Sequence, residues 1–385
     1  MYAFLTSLLA ALLVSIPAAI AQPQEPKAPL DWIAQLKPAA NPDLADLPDN
    51  TWKLMKPKGD VFNHPKTEVG LVYDAQHGCV IYFGGCSSGY TNNLWLYHVG
   101  TDVWREVQPW TKKKEEESDC PIGQCGYHAV YNSDLGVYFK HRGASSTNFG
   151  RGGSGRDSNS WTLDVHKLKW QKMASGEHYG VRPDWPGAYC CYGMAYDHDA
   201  KEAIMFGGLG EGETWAFDFA KNKWRNLKPK VSPPPLSMPC MVYDSKNRVT
   251  LVFGGQTGGY SDGVSTNETW AYSHAKNTWT QMSPKNPPPR RLQAQTCYDS
   301  VNGVMIVFGG HANVYPKRDQ GERYTDTWIY DYAKNIWTEM KPAVHPRGSD
   351  VRFMAFDPVN NVAINVASGS KKETWVYRYK SAKPK

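Results

Sequence analysis

Cys79-Val-Ile-Tyr-Phe-Gly-Gly85 is the stretch that decides the fold, because it returns. It comes back as Ala203-Ile-Met-Phe-Gly-Gly208, Thr250-Leu-Val-Phe-Gly-Gly255 and Met305-Ile-Val-Phe-Gly-Gly310. Degenerate copies stand at Gly136-Val-Tyr-Phe-Lys-His-Arg-Gly143 and Val362-Ala-Ile-Asn-Val-Ala-Ser-Gly369. A short apolar run closed by two glycines reads as a strand that must turn where a Cβ would collide or where φ becomes positive. Working outward, an aromatic–Asp/Asn step precedes each run: Tyr73-Asp74, Tyr131-Asn132, Tyr196-Asp197, Tyr243-Asp244, Tyr298-Asp299 and Phe356-Asp357. A strand built on Trp follows each one, at Trp95, Trp161, Trp215, Trp270, Trp328 and Trp375. A second Trp opens the last strand of the unit at Trp104, Trp170, Trp224, Trp279 and Trp337. Four short β-runs per unit, repeated six times, predict an all-β repeat architecture.

The double glycine, the aromatic–Asp turn and the two spaced tryptophans resemble the Kelch repeat. The resemblance runs from about Trp52 to Tyr379 and implies a six-bladed β-propeller over residues 51–380. The sixth unit ends near Lys380 with three strands, and Thr51-Trp52-Lys53-Leu54-Met55 copies Ile336-Trp337-Thr338-Glu339-Met340. The N-terminal strand is therefore expected to close the ring as the missing outer strand, which removes an open sheet edge.

Composition agrees. Hydrophobic residues are 41%, aromatic 13% and charged 21%, which excludes disorder, collagen and a multi-span membrane protein. Forty-three Lys+Arg against 37 Asp+Glu leave a net charge of +6, which permits an anionic partner without demanding one. No nucleotide fingerprint, phosphate loop or nucleic-acid motif is present. Met1 to Ala21 carries no charged side chain, holds an apolar run from Leu5 to Ile16, and ends with Ala19 and Ala21 placed for signal-peptidase cleavage. The expectation is a signal peptide over residues 1–21, a secreted or periplasmic monomer with no membrane attachment after cleavage, and a linker or loose arm over 22–50 from which Leu30–Ile33 docks on the domain.

Export would make disulfides available to the eight cysteines. At least two of Cys86, Cys120, Cys125, Cys190 and Cys191 are expected to be bonded. Cys120 can pair with Cys125 or Cys86, Cys190 can pair with Cys191, and a Cys125–Cys190 staple between inner strands is the preferred alternative. Cys79, Cys240 and Cys297 read as buried thiols. No zinc spacing occurs, so no metal is assigned, and nothing in the sequence names a cofactor. The likeness to galactose oxidase would imply copper held by Tyr and His. His128, His141 and His311 with Tyr189 or Tyr192 match none of that family's motifs.

In an up-and-down blade the 1–2 and 3–4 turns share one face. Here they are short, as in Asp244–Arg248 and Ala275–Asn277, while the 2–3 loops and the blade-to-blade links hold the irregular length. Variable loops on a rigid scaffold are where sites are built, so the pocket is expected on that second face. Its side chains are cationic and aromatic: Arg142, Arg290, Arg291, His311, Arg323, Arg347 and Arg352, with several tyrosines. Glu68, His128, Gln295 and Arg352 fall at the channel. Guanidinium forks hold carboxylate or sulfate, and aromatic faces stack on sugar rings. The expectation is an acidic saccharide bound by Arg142, Arg352, Gln295, His311 and Arg323. Exported six-bladed Kelch proteins resembling this one include sialic-acid mutarotases, and other propellers host uronate lyases. That resemblance implies catalysis by His141, His128 or Tyr192. The alternative is a non-enzymatic scaffold for a protein or glycan. The break at Lys140-His141-Arg142-Gly143, where the glycine pair is expected, marks the candidate site. Glu213, Glu268, Asp326 and Glu373 recur at one position of the repeat and are discounted as structural, with a neighbouring turn's backbone as their expected partner.

Overall fold

A computed structural model describes residues 29–61, 70–86, 90–111, 119–124, 126–143, 159–175, 185–187, 190–208, 211–258, 263–313, 322–347, 354–367 and 373–381. Six four-stranded antiparallel sheets are arranged as the blades of a propeller. Blade 1 runs Gly70–Asp74, Cys79–Cys86, Tyr90–His98 and Val103–Gln108, and carries Lys58–Gly59 as a short parallel fifth strand. Blade 2 is Ala129–Asn132, Val137–His141, Asn159–Asp164 and Lys169–Ser175. Blade 3 is Gly193–Asp197, Glu202–Phe206, Thr214–Asp218 and Lys223–Asn226. Blade 4 is Cys240–Asp244, Val249–Phe253, Thr269–Ser273 and Thr278–Met282. Blade 5 is Gln295–Asp299, Val304–Phe308, Thr327–Asp331 and Ile336–Met340.

Blade 6 takes Ala355–Asp357, Val362–Ala367 and Glu373–Arg378 from the end of the chain and Thr51–Leu54 from its beginning. Thr51 pairs with Arg378 and Leu54 with Trp375, so the ring closes as the repeat count requires. The second strand of a blade is covered on both faces by neighbouring blades, so it is mostly apolar. Val249–Phe253 and Val304–Phe308 are buried at every position.

The outer tryptophans knit each blade to the one before. Trp279 Nε1 donates to Thr214 Oγ1 at 2.9 Å, Trp337 to Thr269 at 3.1 Å and Trp52 to Thr327 at 3.0 Å. Trp104 donates to Thr374 at 2.9 Å, which carries the same bond across the closure. In blade 3 Trp224 finds Ser160 Oγ at 3.0 Å, and in blade 2 Trp170 finds Gln108 Oε1 at 2.9 Å. Three of these indoles also pack on a phenylalanine of the preceding blade's second strand: Phe206 on Trp279 at 4.9 Å, Phe253 on Trp337 at 4.6 Å, Phe308 on Trp52 at 5.0 Å.

The glycine pair is required by both space and dihedral. Gly207 and Gly254 have φ +73° and +65°, and a Cβ would lie 2.3 and 2.5 Å from the carbonyl oxygens of Leu236 and Arg291 in the next link.

Residues 29–50 pack along blades 2, 1 and 6. A five-residue helix, Pro29–Ile33, buries Ile33, and Arg105 sits 5.3 Å over the Trp32 ring. Further on, Asn41 donates to Val99 O at 2.7 Å, Leu44 and Leu47 are buried, and Arg378 donates to their carbonyls at 2.8 and 2.7 Å. The two chain ends are thus tied to one blade by hydrogen bonds as well as by the sheet.

No disulfide forms among the described cysteines. The sulfurs of Cys190 and Cys191 stand 3.3 Å apart, well beyond the roughly 2.05 Å of a bond. The vicinal alternative is therefore not formed. The pairings through Cys86 and Cys125 lie outside the described side chains. Cys79, Cys240 and Cys297 are buried thiols, and burial pushes Cys240 up to about 12.

Candidate functional site

Strand register shows what happens at the break in the repeat. Val130 pairs with Phe139, as Ala195 pairs with Ile204 and Val242 with Leu251. Counting on from these, Arg142-Gly143 occupies the glycine-pair slot, and His141 occupies the slot filled by Phe83, Phe206, Phe253 and Phe308 elsewhere. The break expected across Lys140–Gly143 is thereby narrowed to Arg142-Gly143. Arg142 keeps the glycine's conformation, with φ 46°, and Gly143 has φ +149°.

His141 behaves as the phenylalanine it replaces. Its ring is fully buried and packs on Trp224 at 4.7 Å, the distance seen for Phe83 on Trp170. Its Nδ1 lies 2.9 Å from Ser160 Oγ, the same hydroxyl that accepts from Trp224. Its Nε2 has no hydrogen-bond partner among the described residues. Burial first, then the Arg142 and Lys140 cations, hold its pKa well below 6.5, so the ring stays neutral.

Tyr192 is buried beside it and donates its hydroxyl to His141 O; burial drives that hydroxyl well above its ordinary pKa. The His128 ring accepts the Met194 N–H at 2.6 Å through Nδ1. Lys140, fully buried, donates to Gln124 Oε1 and lies 4.9 Å over the Tyr127 ring. Arg142 is 7% exposed and donates to Pro186 O at 3.0 Å. So the structure brings His141, Tyr192 and His128 together, and each is engaged in holding blade 2 to blade 3.

Of the expected binding residues, Arg142 lies beside this group, and Gln295, His311 and Arg323 belong to blade 5. Gln295 is buried on the inner strand of blade 5 and accepts from Asn365 of blade 6. His311 exchanges main-chain hydrogen bonds with Leu292 at 2.9 and 3.1 Å, and Arg323 is exposed on the facing segment. Arg352, Glu68 and Tyr189 lie outside the described residues. Arg291 is fully buried and clamps Asp326 with two bonds of 2.6 and 2.8 Å, beneath the Tyr324 ring. The recurring carboxylates are structural, though their partner is the indole two residues on. Glu213, Glu268, Asp326 and Glu373 accept from Trp215, Trp270, Trp328 and Trp375 at 2.9, 2.8, 2.6 and 3.0 Å.

The six innermost strands surround a described cavity of about 300 Å³ on the axis. One tier is Leu71, Ala129, Met194, Met241, Thr296 and Met354. Below it stands a collar of Tyr73, Tyr131, Tyr196, Tyr243, Tyr298 and Phe356. Three of the hydroxyls donate backwards around the ring: Tyr196 to Asp134 and Tyr298 to Asp244, each at 2.6 Å, and Tyr243 to Asp199. The mouth is formed by 1–2 turn residues such as Ser133, His198, Ser245 and Ser300, so the cavity opens on the short-turn face. The sequence reading looked only at the opposite face. The signal was the residue two before each aromatic–Asp step, which is Leu or Met in four of the six blades.

Comparison with known families adds one decisive observation. Residues 143–356, more than half of the chain, match the family model of the KLHDC2/KLHL20/DRC7 Kelch-repeats domain. The chain is a Kelch-repeat protein. Dynein regulatory complex subunit 7 of Chlamydomonas reinhardtii is 33% identical to this Kelch chain over 95 residues. That stretch is 24% of the chain and only 7% of the relative's length, so the similarity reaches a small part of that larger protein.

Proposed function

We propose that this Kelch propeller is a non-enzymatic, protein-binding scaffold whose loop-rich face takes an acidic partner, and that the apolar leader at residues 1–21 exports it. The observation that carries the reading is the engagement of the candidate catalytic groups in the fold. His141 fills a phenylalanine slot with a neutral ring, Tyr192 caps its carbonyl, and the His128 ring accepts a backbone amide. A general base needs reach to a substrate proton, and a ring enclosed between two tryptophans has none. The family supports a scaffold as well, since the fold serves many unrelated roles by varying its loops. Arg290, Arg323 and Arg347 are exposed on that face and give the partner its sign. The same guanidiniums favour a second reading, retention of an acidic saccharide without turnover.

The test pairs two assays. Quantitative affinity enrichment from the source's secreted and envelope proteins should retain a defined set on the wild type. The combined variant Arg290→Glu, Arg323→Glu and Arg347→Glu should lose it. Incubation with uronate and sialylated glycans should give neither unsaturated product nor anomeric change. Turnover of any of these glycans, abolished by His141→Phe, would defeat the scaffold reading. Retention of the glycans alone would favour the second. N-terminal sequencing of the exported chain should begin at Gln22.

A further inference from the structure

The axial cavity is a built space that the scaffold reading does not use. Among its described lining residues there is no Asp, Glu, Lys or Arg. Several polar groups of its lining are committed elsewhere, the Tyr73 and Tyr131 hydroxyls are buried without a hydrogen-bond partner among the described residues, and Ser133, Ser245 and Ser300 stand at the mouth. Thr296 Oγ1 donates to Ile306 O at 2.9 Å, and His128 accepts from Met194 N at 2.6 Å. Tyr196 and Tyr298 donate to carboxylates of the neighbouring blade, so the collar presents ring carbons to the axis. His198 lines the mouth with Nδ1 3.1 Å from Ser133 Oγ, and burial lowers its pKa. Water filling about 300 Å³ would number roughly ten molecules, each seeking two to four polar partners on side chains that offer few. Apolar walls of this kind stay poorly hydrated and accept hydrophobic guests. Three thioethers, Met194, Met241 and Met354, supply a soft, adaptable lining.

We infer that the short-turn mouth of the channel is a second binding site, for a neutral, apolar, elongated small molecule that lies along the propeller axis within the aromatic collar. The turns that ring this mouth are short, such as Asp244–Arg248, and no described loop rises around it to grip a polypeptide. The mouth also gathers exposed aliphatics on the 1–2 turns: Leu135, Val301 and Val359 are 59, 39 and 48% exposed. They offer an apolar approach to the opening. Recognition would come from shape and exclusion of water. A charged ligand would lose its hydration with nothing in the wall to replace it.

The experiment uses the purified protein and N-phenyl-1-naphthylamine as the probe. Its fluorescence should rise saturably with one site per chain. Ala195→Phe and Ala355→Phe plug the channel from different blades, and each should weaken binding tenfold or more. Lys276→Ala, on an exposed 3–4 turn, should leave it unchanged. A second measurement does not depend on the variants folding. With methionine methyl groups labelled with carbon-13, the probe should move the resonances of Met194, Met241 and Met354. Those of Met282 and Met340, on outer strands, should stay in place. Absence of saturable enhancement, enhancement that survives both plugs in folded protein, or shifts confined to peripheral methionines would each overturn the inference. None of these results touches the loop-face reading.

Discussion

Blade 2 and blade 4 are built to the same plan and solve the same packing problem with different chemistry. In blade 4, Phe253 packs under Trp337, whose indole reaches Thr269, and Gly254 with Gly255 turn the chain at φ +65° and +91°. In blade 2, His141 packs under Trp224, whose indole reaches Ser160, and Arg142 makes the left-handed turn that glycine makes elsewhere. The geometry survives, but a neutral imidazole and a strained arginine replace an inert ring and a permissive glycine. A drifted repeat can therefore keep the geometry of a slot while changing its chemistry.

The contrast can be broken or sharpened by substitution. The largest effect is expected in the regular blade. Phe253→Ala removes a fully buried ring and should cost about 3–5 kcal/mol in denaturant unfolding. A cost near zero would mean that the Phe–Trp stack does not hold the blades together. Next, Phe253→His should bring blade 2's chemistry into blade 4. Burying a polar ring with at most one partner should lose about 1–3 kcal/mol and add acid sensitivity that blade 4 otherwise lacks. Gly254→Ala should cost a comparable 1–3 kcal/mol or so, because its Cβ would meet Arg291 O at 2.5 Å in a left-handed conformation. Arg142→Gly, at the matching position, should fall within about 1 kcal/mol of wild type. It relieves a left-handed side chain and gives up the guanidinium's bonds, that to Pro186 among them. Equal losses at Gly254 and Arg142, read from unfolding midpoints, would contradict the structural equivalence of the two sites.

The propeller was legible because its signals repeat. Four glycine pairs with two degenerate copies, six aromatic–Asp/Asn steps and the paired tryptophans reinforce one another, and Trp52 declared itself the sixth outer strand by matching Trp337. The role of Lys140–Gly143 was not legible. A degenerate copy fixes no register, and only the pairing of Val130 with Phe139 reveals that His141 stands in for Phe. The partner of Arg291 was not legible for a related reason: its guanidinium counts toward the cationic face in sequence, yet Asp326 already satisfies both arms of its fork. The channel cavity was missed because its residues are apolar and sit in strands, where sequence reads them as core.

The most direct measurement is equilibrium unfolding of His141→Phe between pH 5 and 8, beside wild type. His141 has a folded pKa held well below the ordinary 6.5, so the unfolded chain binds the extra proton first. Its contribution is constant above about pH 6.5 and stability falls as the pH drops below that value, by up to about 1.4 kcal/mol per pH unit. Phenylalanine, which the other blades use at this slot, should match or exceed wild-type stability at pH 8 and remove that part of the acid slope. A variant more than about 1 kcal/mol less stable at pH 8, or one whose acid slope is unchanged, would contradict the reading of His141 as a structural replacement for phenylalanine.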